Sequence, residues 1–199
     1  MIPPNSQNDS LSDLDRRQSA DALALGIDAL AIASDSEVPD WIQRLRVPSG
    51  WRTGHLAGAE IGPCRVAVCG QRADGGWDAC ETLSVFTFAG TPPDDRVEGY
   101  CRRALAQFGI ASPETVSLRL PSLTGIQGVR CSGPTTMAAR EVWIHFSCFV
   151  AAPRDSGKGF LIQQFVYVDA VRRSSLNSDV EHLVDTLRIG FSRHVLRNS

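Results

Sequence analysis

The chain has 199 residues, 43% of them hydrophobic and 21% charged, with a formal net charge of −2. That is long enough for one ordinary domain with a real core plus an appendage, and the composition excludes a disordered polypeptide. Acids are interleaved with the arginines and lysines, so there is no electrostatic basis for binding nucleic acid or an anionic membrane.

The start of the chain is polar and acidic, whereas a secretory signal needs early positive charge and then an apolar core of roughly 7–15 residues. The apolar stretch "ALALGIDALAIA" (Ala22–Ala33) is interrupted by Asp28 and falls short of the about 20 residues that span a bilayer. The expectation is a cytoplasmic protein with no membrane span, with signal-independent export left open. Leu11, Leu14, Leu23, Ile27 and Leu30 lie near helical spacing behind Asp9 or Ser10 as a cap, which predicts a helix within 9–33. "LALGIDALAI" also alternates in places. The polar hinge Ser34–Asp40 divides an N-terminal extension, 1–38, from a domain over 39–192 and a tail over 193–199.

Within the domain, "WIQRLRVP" (Trp41–Pro48) alternates like a strand, "PSGW" reads as a turn, and "RVAVCGQ" (Arg65–Gln71) is a short apolar strand. The turn signal "ADGGWD" leads into the β-rich "ETLSVFTFA" (Glu81–Ala89). Next comes "GTPPDDRVEGY", a strand end running into a helix, which is where phosphate loops sit. Here Pro92 and Pro93 remove backbone donors, and Asp94 and Asp95 would repel an anion. The stretch therefore reads as a corner of the fold. The helix is predicted over Pro93–Gly109, capped by Thr91 with Asp94 in support. Its apolar stripe runs through Val97, Tyr100 or Cys101, Ala104, Leu105 and Phe108.

Further strands are predicted at "ETVSLRLP", "GIQGVRCSGP", "REVWIHFSCFVAAP" and "GFLIQQFVYVDAV". The tip between the last two, "DSGKG" (Asp155–Gly159), places Gly159 where a phosphate loop needs a hydroxyl residue, and it reads as a hairpin. An amphipathic helix follows over Asn177–Gly190, capped by Asn177 or Ser178. The order β-β-β-α-β-β-β-β-α with hairpin spacings predicts an α+β fold. It would be an antiparallel sheet of about six or seven strands with helices packed on it, an α/β/α-type sandwich. Both faces of the strands are partly apolar, so both are expected to be covered.

This order, with "VPSGW" near the start and "GIQGVR" in the middle, resembles the PsbP-like superfamily over roughly Trp41–Phe191. The similarity is nearest to its actinobacterial LpqN/LpqT-type branch, in which an early Pro-x-x-Trp (here Pro48–Trp51) precedes a strand leading into a helix, here "FTFAGTPPDDRVEGYC". Unlike the LpqN-type lipoproteins, this sequence shows no lipobox cysteine and carries an N-terminal extension. The resemblance implies a non-catalytic binding or assembly module and supplies no catalytic residues.

The residues themselves agree with that implication. The six cysteines, Cys64, Cys69, Cys80, Cys101, Cys131 and Cys148, form no CxxC. Buried thiols are the expectation. In "CRVAVC", Cys64 and Cys69 would face opposite ways on a strand, which argues against zinc. His55, His145, His182 and His194 form no metal or nucleophile motif, and His145 and Cys148, three apart in one strand, point to opposite faces. No cofactor motif and no metal site is expected. Tryptophan is common at binding hot spots, so Trp51, Trp77 and Trp143, with His145 beside Trp143, are the candidate interface residues; core packing is the competing reading. The expected function is non-enzymatic binding of another protein. The alternatives are a carrier of a small apolar or lipid ligand, in a cavity lined by Phe86, Phe88, Trp143 and Tyr167, and an enzyme with convergent titratable groups.

Overall fold

The computed structural model describes residues 25–197 except 28, 55–62, 74, 94 and 154–156. Of the helix foreseen within 9–33, the part up to residue 24 lies outside the described residues, as do His55, Asp94 and Asp155. Its last part is not helix, because Ala29–Ile32 pairs as a strand with Phe86–Ala89. In chain order the elements are β1 (Ala29–Ile32), α1 (Asp40–Gln43), β2 (Trp51–Gly54), β3 (Arg65–Gln71), β4 (Trp77–Ala89) and α2 (Arg96–Ala106). They continue with β5 (Glu114–Ser117), β6 (Ile126–Met137), β7 (Arg140–Ala151), β8 (Gly159–Asp169), a 3-10 turn over Ala170–Arg172, and α3 (Arg173–Arg197).

The strands form one eight-stranded sheet in the order β2-β3-β4-β8-β7-β6-β5, with β1 also paired to β4. Every pairing is antiparallel. β4 is the spine. One edge pairs with β8 along most of its length; the other is shared, with β3 opposite its first half and β1 opposite Phe86–Ala89. This is the α+β antiparallel architecture that the sequence predicts.

Alternation distributes the core between the two faces. On the α2 side, Val97, Tyr100, Cys101 and Leu105 pack on Ile144, Phe146, Cys148, Val150 and Leu161. On the α3 side, Leu187, Phe191 and Val195 cover Leu83, Val85, Phe149 and Ile162, and Val180 and Leu183 cover Ala67, Ala79, Val166 and Val168. β4, β7 and β8 are thus apolar on both faces because both are roofed. Leu25, Ile27 and Leu30, from the segment preceding the hinge, join the α2-side core.

A polar row crosses the buried α3 face. Arg65 Nη2 donates to Glu81 Oε2 at 2.7 Å, Gln164 Nε2 donates to Glu81 Oε1 at 2.7 Å, and Arg65 Nη1 donates to the Leu45 carbonyl at 3.1 Å. Taking one carboxylate and one guanidinium out of water is tolerable only when they are paired and hydrogen-bonded. Both Glu81 oxygens are bonded, while Arg65 Nε and Gln164 Oε1 find no partner among the described residues. The row ties β3, β4 and β8 to the chain leaving α1.

Several local expectations give way to packing. Trp41–Pro48 begins as the short helix α1 rather than a strand, because Ile42 is buried against the α3-side core while Arg44 and Asp40 pair on the surface at 3.0 Å. Strand β2 instead starts at Trp51. Helix α2 starts at Arg96 and not at Pro93, so its N-cap is Asp95 rather than Thr91, and Asp95 makes no side-chain cap bond. A residue before proline is pushed out of helical conformation, so consecutive prolines displace the helix downstream. Its end is as expected: Gly109 takes φ 80°, its N–H reaches the Ala106 carbonyl, and the Ile110 N–H reaches Leu105, a Schellman closure.

Helix α3 begins a turn earlier than predicted, behind the 3-10 turn, where Asp169 Oδ1 accepts from the Val171 N–H at 3.0 Å. Asn177 and Ser178 therefore sit inside the helix. Gly190 does not end it. A Cβ at Gly190 would stand 2.5 Å from ring carbons of Trp41, so this glycine lets the indole of α1 lie flat on α3.

A candidate interaction surface along helix α3

Trp51 is 6% exposed, and its Nε1 donates to Asp179 Oδ2 at 2.9 Å, fastening β2 to the first half of α3. Trp77 opens β4, half-buried opposite Gln71, and its carbonyl accepts from Arg72. Trp143 and His145 come together, ring centroids 6.4 Å apart, on the α3 side of β7. The Arg173 guanidinium lies 3.2 Å above the Trp143 ring, a cation–π stack that covers it. Burial, and then the charges of Arg130 and Arg173, push the His145 imidazole down to about 4, so it is neutral at physiological pH. Of the four sequence candidates, Trp143 and His145 share one place; Trp51 and Trp77 stand apart from it.

The carrier cavity does not assemble. Phe86, Phe88 and Tyr167 pack into the α2-side core, whereas Trp143 projects from the opposite face beneath Arg173. Its sequence signal was misleading because residues on neighbouring strands can be close along the sheet yet on different sides.

The cysteines are thiols, with Cys101, Cys131 and Cys148 buried on the α2 side. Burial raises the Cys64 thiol to about 11 and raises Cys101 well above its ordinary value, which quenches nucleophilicity. Cys64 lies just before β3 and packs on the same side as Cys69, so strand alternation does not separate that pair as expected. Among the described residues no group of three or more His, Cys, Asp and Glu is placed to hold a metal ion. His145 and Cys148 do face opposite ways.

Sequence reasoning missed a groove between α1 and the second half of α3. It has a volume of about 520 Å³. Trp41 and Leu45 supply one wall; Ile189, 41% exposed, supplies an apolar point on the other. Arg44, Arg46, Arg193 and Arg197 surround it. Arg44 is engaged with Asp40. Arg46, Arg193 and Arg197 make no ion pair among the described residues, and all are exposed. His194 sits at the end of the groove, 6.1 Å from both Trp41 and Phe160 in ring centroids, and burial lowers its pKa. The signal was present in the sequence as "WIQRLR" and "GFSRHVLR", but only the contact between α1 and α3 joins them.

The architecture defines a class: a single antiparallel sheet roofed by a helix on each face. No family model matches the chain, and no curated protein matches it. Among solved structures, this chain is similar to LpqN of Mycobacterium tuberculosis, described as involved in cell envelope biogenesis. The two align with a TM-score of 0.52 at 15% identity, over 70% of this chain and 78% of that one. The likeness is one of fold, and it falls on the LpqN side of the sequence resemblance; the wider PsbP-like grouping stays an expectation. No helix among the described residues is long and apolar enough to cross a membrane.

Proposed function

We propose that this chain is a non-enzymatic docking module that binds another protein and serves cell-envelope assembly. The envelope setting is taken from the LpqN likeness and stands in place of the cytoplasmic location expected from the N-terminal sequence. The observation that carries the docking reading is the groove itself: apolar walls of Trp41 and Leu45 on one side and Ile189 on the other, beside Arg46, Arg193 and Arg197, which make no ion pair among the described residues. Buried anchors with a charged rim are the usual anatomy of a protein interface. The buried titratable groups, by contrast, are committed to the fold: Glu81 is held by Arg65 and Gln164, and His145 is kept neutral.

The test is affinity capture from native lysate with the full chain and with Ile189→Asp. Ile189 is exposed, so the variant should keep its thermal midpoint. The expected result is a partner retained by the wild type and lost by the variant. A partner retained equally by both would place the interface elsewhere and overturn the assignment to this groove.

A further inference from the structure

We infer that the groove between α1 and α3 takes an acidic amphipathic helical segment of the partner protein. This rests on the docking reading above and names the chemistry of what docks. His182, Thr186, Ile189, Arg193 and Arg197 all line the groove. Their spacing of three or four residues places them in one stripe along α3. From His182 to Arg197 that stripe is about 22 Å long at 1.5 Å per residue. A trough of that length fits a helix of about four turns, lying beside α3 with its apolar face on Trp41, Leu45 and Ile189.

Charge selects the partner. The whole chain is slightly acidic, with 20 Lys and Arg against 22 Asp and Glu. Along this groove the balance reverses: among the described residues four arginines line it and no carboxylate does. Asp40 neutralises Arg44. Asp185, on the neighbouring turns of α3, is taken by Arg188 at 3.0 Å. Arg46, Arg193 and Arg197 are left without acidic partners among the described residues. Part of this has a local explanation, because cations near a helix C-terminus complement its dipole. That accounts for Arg193 and Arg197. It does not account for Arg46, which comes from another segment and faces the same groove. An anionic bilayer is the other acidic surface available. It is flat, whereas the apolar residues here are sunk between two elements with only Ile189 prominent.

The test uses the full chain and a fluorescent peptide of about fifteen residues, with leucines at helical three- and four-residue spacing and glutamates elsewhere. A lysine-for-glutamate version and vesicles of phosphatidylglycerol and phosphatidylcholine in equal parts are the counter-probes. The glutamate peptide should bind, weaken as salt rises, and lose at least about tenfold in affinity on Arg193→Glu/Arg197→Glu. Arg193→Gln/Arg197→Gln, which adds no charge near the helix end, should lose less but in the same direction. The lysine peptide should not bind. Equal affinity of the charge-reversed variant for the glutamate peptide overturns the inference, as does failure of that peptide to bind at all. Sedimentation of the protein with the vesicles in the absence of peptide binding assigns the groove to a membrane surface instead, and also overturns it. If the lysate partner is lost with Ile189→Asp but retained by Arg193→Glu/Arg197→Glu, the acidic chemistry falls while the docking reading stands.

Discussion

His145 is placed where its charge would be most costly. It is 8% exposed, with Trp143 beside it and Arg130 and Arg173 as the nearby cations; Arg130 is in turn bound by Glu181 at 2.9 Å. In the folded chain it protonates near 4, whereas unfolded it would protonate near 6.5. Between those values the unfolded state holds more protons, so stability falls as pH drops through this window and the loss is complete below about 4. The linked loss amounts to up to about 3 kcal/mol. His145→Gln, which carries no titrating group, should flatten this part of the profile. Urea midpoints measured across the window for both proteins check it; parallel profiles would mean that His145 is not buried neutral. The same residue illustrates what the sequence could tell. Its position mid-strand beside Trp143 marked it as notable, and alternation correctly put it opposite Cys148. Neither signal reveals that Arg173, at the start of α3, closes over its neighbour Trp143.

At the scale of elements, the β6–β7 hairpin carries a local conflict. Ala138 and Ala139 join Met137 to Arg140 with φ of 48° and 61°, both left-handed. L-residues other than glycine and asparagine are disfavoured there by roughly 1–2 kcal/mol each. Two-residue hairpins with this geometry favour Asn-Gly. Ala138→Asn/Ala139→Gly should therefore stabilise the protein by about 1 kcal/mol, read as a raised thermal midpoint. An unchanged or lowered midpoint would show that the turn is not held in this conformation. The long strands around this turn were legible because β7 and β8 alternate or run apolar over many residues. The turn itself was invisible, since alanine carries no turn signal. Helix ends were the weakest readings for a related reason. Gly190 looks like a stop in one dimension and is a seat for Trp41 in three, and Thr91 looks like a cap until the prolines after it displace the helix. The groove lies where two such misread segments meet, so it could not be seen before the elements were in place.

For the whole molecule, the segment before α1 belongs to both sides of the sheet. Leu25, Ile27 and Leu30 are buried in the α2-side core, and Ala33 and Val38 in the α3-side core. Between them, β1 pairs with the end of β4 that β3 leaves free. Glu37 then reaches Lys158 at 2.6 Å, which ties the path to the start of β8. Only after this does the chain form α1 and one wall of the groove. A chain beginning at residue 39 would lose the burial of Leu25, Ile27, Leu30 and Val38, roughly 6 kcal/mol at the low end of about 1.5–3 kcal/mol per side chain. Domains of this size have a total stability of about 5–15 kcal/mol. It would also expose the backbone of Phe86–Ala89 as a free edge, which invites association. The shortened chain is expected to lose its cooperative thermal transition, followed by circular dichroism, and to aggregate. A cooperative melt within a few degrees of the full chain would show instead that this segment is an accessory. The outcome bears directly on function. If the segment is part of the fold, removing it abolishes partner capture by unfolding the domain, and only substitutions on the surface of α3 can separate loss of docking from loss of structure.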